Sequence, residues 1–353
     1  MTIYLIILLF LFLCFSIELF IYGHKLLKTY LFFISFLILL TLSGIRYDVG
    51  VDYLSYKNIY IDSRELYGLK EGGFILITEL FHWLEIPFDF FCFCFSFLTL
   101  FLAYKFILKN SPSPFFSILI YYALGNLYFS SFNAIRQSLA IMIFINIIPF
   151  ILQKKIFKFI LLVILTAYFV HASALLLLPI YFFLRRTWRV KSQLLILAIV
   201  CGFSFIIIPI IELSPYAIYL KFESFSGGVP PTNYLLGFIS LITICYALKH
   251  DMWYEKHKAF INMNFVSFLL ILLLFIFENT PLIMPINRVL GYFTMIYIII
   301  LPLLYNELKL ISNRYILLVL TACCFSLLSF WALEQNGKRN NMVPYKTIFD
   351  KSI

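Results

Sequence analysis

Charge is scarce in this chain. Only 12% of its 353 residues are Asp, Glu, Lys or Arg, whereas a soluble domain carries about a quarter, so a water-soluble globular fold is excluded. Familiar catalytic signatures are missing too: there is no Walker loop, no GxSxG elbow, no HExxH and no CxxC. ATP-driven transport and soluble-type hydrolysis therefore have no support. Cysteine occurs seven times, an odd number, and Cys14, Cys92, Cys94, Cys201, Cys245, Cys323 and Cys324 all lie within apolar runs. That placement makes them packing residues, not a disulfide framework or a metal site. The net charge of +10 comes from basic residues scattered through short loops, which points to membrane topology and away from nucleic acid.

What the chain has is apolar length. It is 63% hydrophobic, with 42 Phe and 24 Tyr, and runs near the roughly 20 residues that cross a ~30 Å hydrocarbon core recur from Ile3 to Trp331. The class is an all-α polytopic integral membrane protein. Spans are predicted over 3–22, 29–44, 88–108, 115–132, 136–152, 159–170, 172–184, 194–211, 233–249, 260–277, 289–305 and 315–333. These make about twelve helices in one transmembrane domain, 1–333, followed by a polar tail, 334–353. The first run lacks a basic leader and a small-residue cleavage site, so it is kept as a helix. With this topology sixteen Lys and Arg fall on the face of the loop "GHKLLK" and seven on the other, before the four of the tail that complete all 27. The richer face is assigned to the cytoplasm. The tail, which carries Lys338, Arg339, Lys346 and Lys351, falls on the outer face against that rule.

Two segments depart from simple crossings. Between Lys158 and Arg185 lie 26 residues, so two crossings receive about 13 each, or ~20 Å per arm. The turn bearing His171 should then lie below the outer surface, where non-helical backbone needs protein or a water-filled cavity around it. His171 is thus a cavity residue or a histidine capping a helix end in a packed bundle. The stretch from Glu71 to Glu85, "EGGFILITELFHWLE", is too short to span and reads as an outer interfacial helix. Its Glu79, His82 and Glu85 form a solvated polar face, and no metal is assigned.

The outer face gathers the chemistry. Arg46, Arg136 and Arg288 each abut a span on the side the rule depletes, and arginines so close to hydrocarbon ask for a shared anion. Phosphate matches the planar guanidinium, and a helix N-terminus at Arg136 and Arg288 would add backbone N–H groups. In "GIRYDVGVDYLSY", Asp48 and Asp52 are four residues apart, so a helical turn would set both on one face with Tyr56. They are suited to accept a proton from a sugar hydroxyl, or simply to neutralise Arg46, while Tyr47, Tyr53 and Tyr56 offer rings for sugar faces. The outer loops 45–87 and 212–232, the latter holding "SFSGGVPPTN", contribute to the same side.

The order "GIRYDVGVDYLSYKNIY", "EGGF", "NAIRQSLA", "YFVHASALLLLPIYF" and "NRVLGYF" over residues 44–294 resembles the EpsG-like branch of Wzy-type polysaccharide polymerases. Arg46, Asp52, Tyr53, Tyr56, Arg136, Gln137, His171 and Arg288 match the positions that carry the resemblance; Gly50-Val51 stands where Gly-Thr is usual. The resemblance implies a multi-helix membrane glycosyltransferase of the GT-C-like kind in the bacterial inner membrane. Such an enzyme joins undecaprenyl-pyrophosphate-linked oligosaccharide units at the periplasmic face, in O-antigen or capsule synthesis, and needs no cofactor. Its implied partners are the lipid-linked oligosaccharide, membrane lipid, a chain-length regulator and the flippase of the same pathway. Arg46, Arg136 and Arg288 would hold the pyrophosphate, and Tyr53, Tyr56 and Gln137 the sugar. Asp48, Asp52 and His171 remain three alternatives for the base. Competing classes are another lipid-phosphate sugar transferase or ligase, a surface-polysaccharide O-acyltransferase and a lipid-linked oligosaccharide flippase. A flippase would want charge along a path through the bilayer, whereas mid-span positions here are nearly free of it.

Overall fold

The computed structural model describes residues 2–20, 23–62, 71–124, 127–212, 229–278, 280–309 and 341–352. Among them the architecture is all helical, with one isolated bridge, Arg46 to Thr347, and no strand. Helices dominate because a chain in lipid must satisfy every backbone N–H and C=O within itself. Their order is α1 (Thr2–Phe20), α2 (Lys25–Gly44), α3 (Tyr53–Ile61), α4 (Gly72–Trp83), α5 (Phe88–Asn110), α6 (Pro114–Ala123), α7 (Ser130–Asn133) and α8 (Ile135–Leu152). Then come α9 (Ile156–Phe169), a 3₁₀ turn (Ala172–Leu177), α10 (Ile180–Arg185), α11 (Val190–Glu212), α12 (Pro231–Lys249), α13 (Asp251–Ile276), α14 (Ile283–Thr294) and α15 (Tyr297–Lys309). Proline opens α6 and α12, where its missing N–H costs nothing.

Six of these, α1, α2, α5, α8, α12 and α13, are long and apolar enough to cross a membrane, and α14 with α15 forms a seventh candidate bent by 49°. The expected count of about twelve is not reached on this measure. Several expected crossings are helices of 10 to 17 residues, among them Pro114–Ala123 and Ile156–Phe169, which fall short of ~30 Å at 1.5 Å per residue. The expected span 315–333, the loop residues 213–228, and Lys338 and Arg339 lie outside the described residues.

The chain reverses at His171, but the return arm is not the single helix expected over 172–184. α9 ends where the Thr166 carbonyl accepts from both Val170 N (2.9 Å) and His171 N (3.0 Å), and the return arm is broken into the 3₁₀ turn and α10. α4 packs on α9, and its glycines allow the approach: a Cβ on Gly73 would sit 2.6 Å from Tyr168 Cδ1. Leu76, Leu80 and Trp83 are exposed on α4 while Phe74 and Thr78 are buried.

The expectation that Asp48 and Asp52 share a helical face is overturned. The helix begins only at Tyr53, and before it the chain turns with Asp48 at φ 50° and Gly50 at φ 101°. Residues 341–350 lie along this turn. Tyr47 N donates to Lys346 O (2.9 Å), Gly50 N to Asn341 O (3.2 Å) and Ile348 N to Ile45 O (2.9 Å), while Tyr4 and Tyr345 donate to Met342 O and Leu42 O, each at 2.8 Å. The end segment therefore lies on the same face as the 44–52 loop.

Gly50 combines a left-handed backbone with a Cβ position 2.5 Å from the Phe132 carbonyl oxygen. Gly50→Ala should destabilise the protein by about 1–3 kcal/mol, lowering its unfolding midpoint in detergent, whereas Gly23→Ala, in open space, should cost less.

Candidate functional site

The site is built around Arg136, in the first turn of α8, where its backbone N–H donates to Tyr56 and the helix start adds to its positive field. Its Nη2 meets Glu71 Oε2 at 2.6 Å with both side chains nearly buried, 7% and 10% exposed. Its Nε donates to the Val170 carbonyl (3.0 Å), and the guanidinium lies 4.3 Å over the Phe74 ring. Glu71 Oε1 accepts from Ala172 N (3.0 Å). One ion pair thus fastens the start of α4, the start of α8 and the backbone on both sides of His171. These bonds, led by the Ala172 amide and Arg136, hold the Glu71 carboxyl below its usual range despite burial.

His171, extended at the start of the 3₁₀ turn, lies within the fields of Arg136, Glu71 and Arg288. Burial first, and Arg136 next, push its imidazole down to about 4, so it is neutral at neutral pH. Nδ1 is 2.7 Å from Ser173 Oγ, which is 2.8 Å from Tyr292 Oη. Asp52, half-buried at the start of α3, is raised by burial and drawn back by Arg288. Tyr56 sits among Asp52, Arg136 and Arg288. Gln137 Nε2 donates to the Arg288 carbonyl (2.7 Å), tying α8 to α14, so its amide is spent on positioning that helix.

The structure therefore brings together Arg136, Arg288, His171, Asp52, Tyr56 and Gln137. It does not bring in the other three. Arg46, 2% exposed, donates from Nη1 to the Ser43 carbonyl and Ser96 Oγ (3.2 Å) and lies 4.9 Å from the Phe132 ring. It reaches none of the groups around Arg136, so the expected trio of arginines becomes a pair. Asp48 is 3.6 Å from Lys346. Tyr53 is fully buried and donates to Asp89 Oδ1 (3.1 Å), which leaves its ring no open face. Arg288 is exposed inside α14, so the helix-start amides expected beside it belong to Arg136 alone.

Three residues were not legible as site residues. Glu71 reads in sequence as part of a solvated helical face, although an acid directly before two glycines at a helix start is a usable signal. Ser173 follows His171 by two positions, and Tyr292 follows Arg288 by four, a spacing that puts both on one side of a helix. Among the described residues no group of three His, Cys, Asp or Glu could hold a metal.

The model of the EpsG family matches residues 29–347. No curated protein and no solved structure matches the chain.

Removing one partner of a buried pair costs about 3–5 kcal/mol, whereas replacing both by apolar groups is often neutral. Glu71→Ala should therefore lower the unfolding midpoint strongly, and Glu71→Leu with Arg136→Met should recover much of the loss. Acid should weaken the fold in two stages. His171, lowered from 6.5 to about 4, is protonated first in the unfolded chain, so its contribution falls as pH drops from 6.5 to 4. Glu71, also lowered, contributes above about 4.3 and loses that contribution as pH falls further. A His171→Ala variant should show a flatter midpoint between pH 6.5 and 4.

Proposed function

The chain belongs to the EpsG family, which is related to the Wzy-type polymerases, and from that premise we propose that it polymerises lipid-linked oligosaccharide units. The observation that carries this reading is the convergence of Arg136, Arg288, His171 and Asp52 from four separated segments on one face. Arginines and a neutral imidazole suit a pyrophosphate, while a carboxylate with raised basicity suits a sugar hydroxyl.

The growing chain on undecaprenyl pyrophosphate is the donor and the next lipid-linked unit the acceptor. The acceptor hydroxyl attacks the anomeric carbon, the bond to the pyrophosphate oxygen breaks, and Arg288 stabilises the charge that develops there. The acceptor proton passes to Asp52 or His171. Glu71 keeps Arg136 in place, and Gln137 does the same for the helix that carries Arg288. The product serves O-antigen or capsule synthesis, and the site faces the periplasm from the inner membrane.

In this reading the chain crosses twelve times, as a multi-helix glycosyltransferase of the GT-C-like kind would. The crossings are the six long helices, the bent α14–α15 pair, the short α6 and α9, the 23-residue α11, the arm made by the 3₁₀ turn and α10, and the apolar run 315–333. The pairing of 341–350 with the 44–52 loop favours this even count.

Deleting the gene should remove long polysaccharide and leave a single capped repeat unit. Complete loss of exported sugar would instead indicate a flippase. Arg288→Ala, at an exposed position, should lower polymerisation by roughly 10²–10³-fold with the protein still inserted; normal chain length in that variant would refute the assignment.

A further inference from the structure

The two ring nitrogens of His171 differ in what meets them. Ser173 presents its backbone N–H to Nδ1 at 3.3 Å and its hydroxyl to the same nitrogen at 2.7 Å. A hydroxyl can turn either way, but a backbone N–H only donates. A proton on Nδ1 would therefore face another proton, so Nδ1 accepts and Nε2 carries the hydrogen. Tyr292, 2.8 Å from Ser173 Oγ, completes the chain: its O–H supplies the serine oxygen when Ser173 gives its own proton to Nδ1. Tyr292 also rides on α14 one turn after Arg288, so a single helix presents the exposed arginine and steadies the imidazole.

On the polymerase reading above, we propose that His171 acts as a neutral hydrogen-bond donor, through Nε2–H, to the departing pyrophosphate oxygen. Ser173 and Tyr292 are positioning residues that fix this tautomer, and Asp52 is the base. A ring with hydrogen on Nε2 and Nδ1 already occupied has no free lone pair for the acceptor proton. Among the three acid–base candidates, Asp48 stands beside Lys346, and Asp52 alone has a carboxylate beside Arg288. A third cation between Arg136 and Arg288 is disfavoured by their charge, whereas an uncharged imidazole can donate there as neutral histidines do at developing oxyanions. In the step itself the acceptor oxygen bonds to the anomeric carbon. The bond from that carbon to the pyrophosphate oxygen breaks with its electron pair leaving on oxygen, which accepts from Nε2–H and Arg288. The acceptor proton passes to the Asp52 carboxylate.

The tautomer is read directly by nitrogen NMR of histidine-labelled protein in nanodiscs, with His171 assigned by its loss in His171→Asn. The wild type should show hydrogen on Nε2, Ser173→Ala a mixture of tautomers, and Ser173→Thr the wild-type pattern. In polymerisation assays with purified lipid-linked repeat units, His171→Gln, which keeps a donor, should stay within about tenfold of wild type, while His171→Ala and Asp52→Asn should each lose roughly 10²–10³-fold. Hydrogen on Nδ1 in the wild type would overturn the proposal. So would a folded His171→Gln protein as inactive as His171→Ala, or an Asp52→Asn protein as active as wild type. If the wild type itself forms no polymer, the functional reading fails, and the tautomer measurement still decides the His171 assignment.

Discussion

Arg136 carries a full positive charge into the start of a helix whose surroundings are almost entirely apolar, and much of the local architecture answers that cost. A lone ion in such a place loses several kcal/mol of hydration, so it is met by a carboxylate, a carbonyl and an aromatic face at once: Glu71, Val170 and Phe74. Each comes from a different segment. Satisfying one charge therefore draws α4 down onto α9, pins the hairpin at its turn, and sets the His171 ring where it stands. The glycine pair at the start of α4 belongs to the same solution, because a larger residue would hold Glu71 away from the arginine it must reach.

Two arginines that look alike in the sequence end in opposite conditions. Arg136 is fully engaged by the protein and acts as part of the frame. Arg288 is exposed; its backbone carbonyl is held by Gln137, and its charge lies beside the Asp52 carboxylate. A charge already compensated binds a substrate anion weakly, and one left open binds it well. The division separates rigidity from recognition: one arginine builds the pocket wall, and the other meets what enters.

Much of this was legible before any coordinates. Apolar length alone gives a polytopic helical protein, and the arithmetic of 26 residues between two basic clusters locates a shallow turn at His171. The face-by-face argument also brings Asp52, Tyr56, Arg136 and Arg288 to one side. It stops there because sidedness says nothing of lateral position, so Arg46 is grouped with arginines it does not approach. Glu71 stayed hidden since an acid on a short amphipathic helix normally meets water, and only tertiary packing turns it inward. The Asp48–Asp52 pairing fails at the glycine turn: Gly50 is visible in the sequence, but its left-handed backbone, which delays the helix to Tyr53, is not.

The seam between the 44–52 loop and residues 341–350 carries a consequence for biogenesis. The partners that close it, such as Asn341 and Asp48, stand 293 positions apart. At synthesis rates of 5–20 residues per second, the loop waits roughly a quarter of a minute to a minute for its cover. During that interval Arg46 and the start of α3 stand without the segment that later pairs with them. Any chaperone or protease that reaches this face meets the loop while it is still open, and the stitch between early and late segments is the event that ends its access.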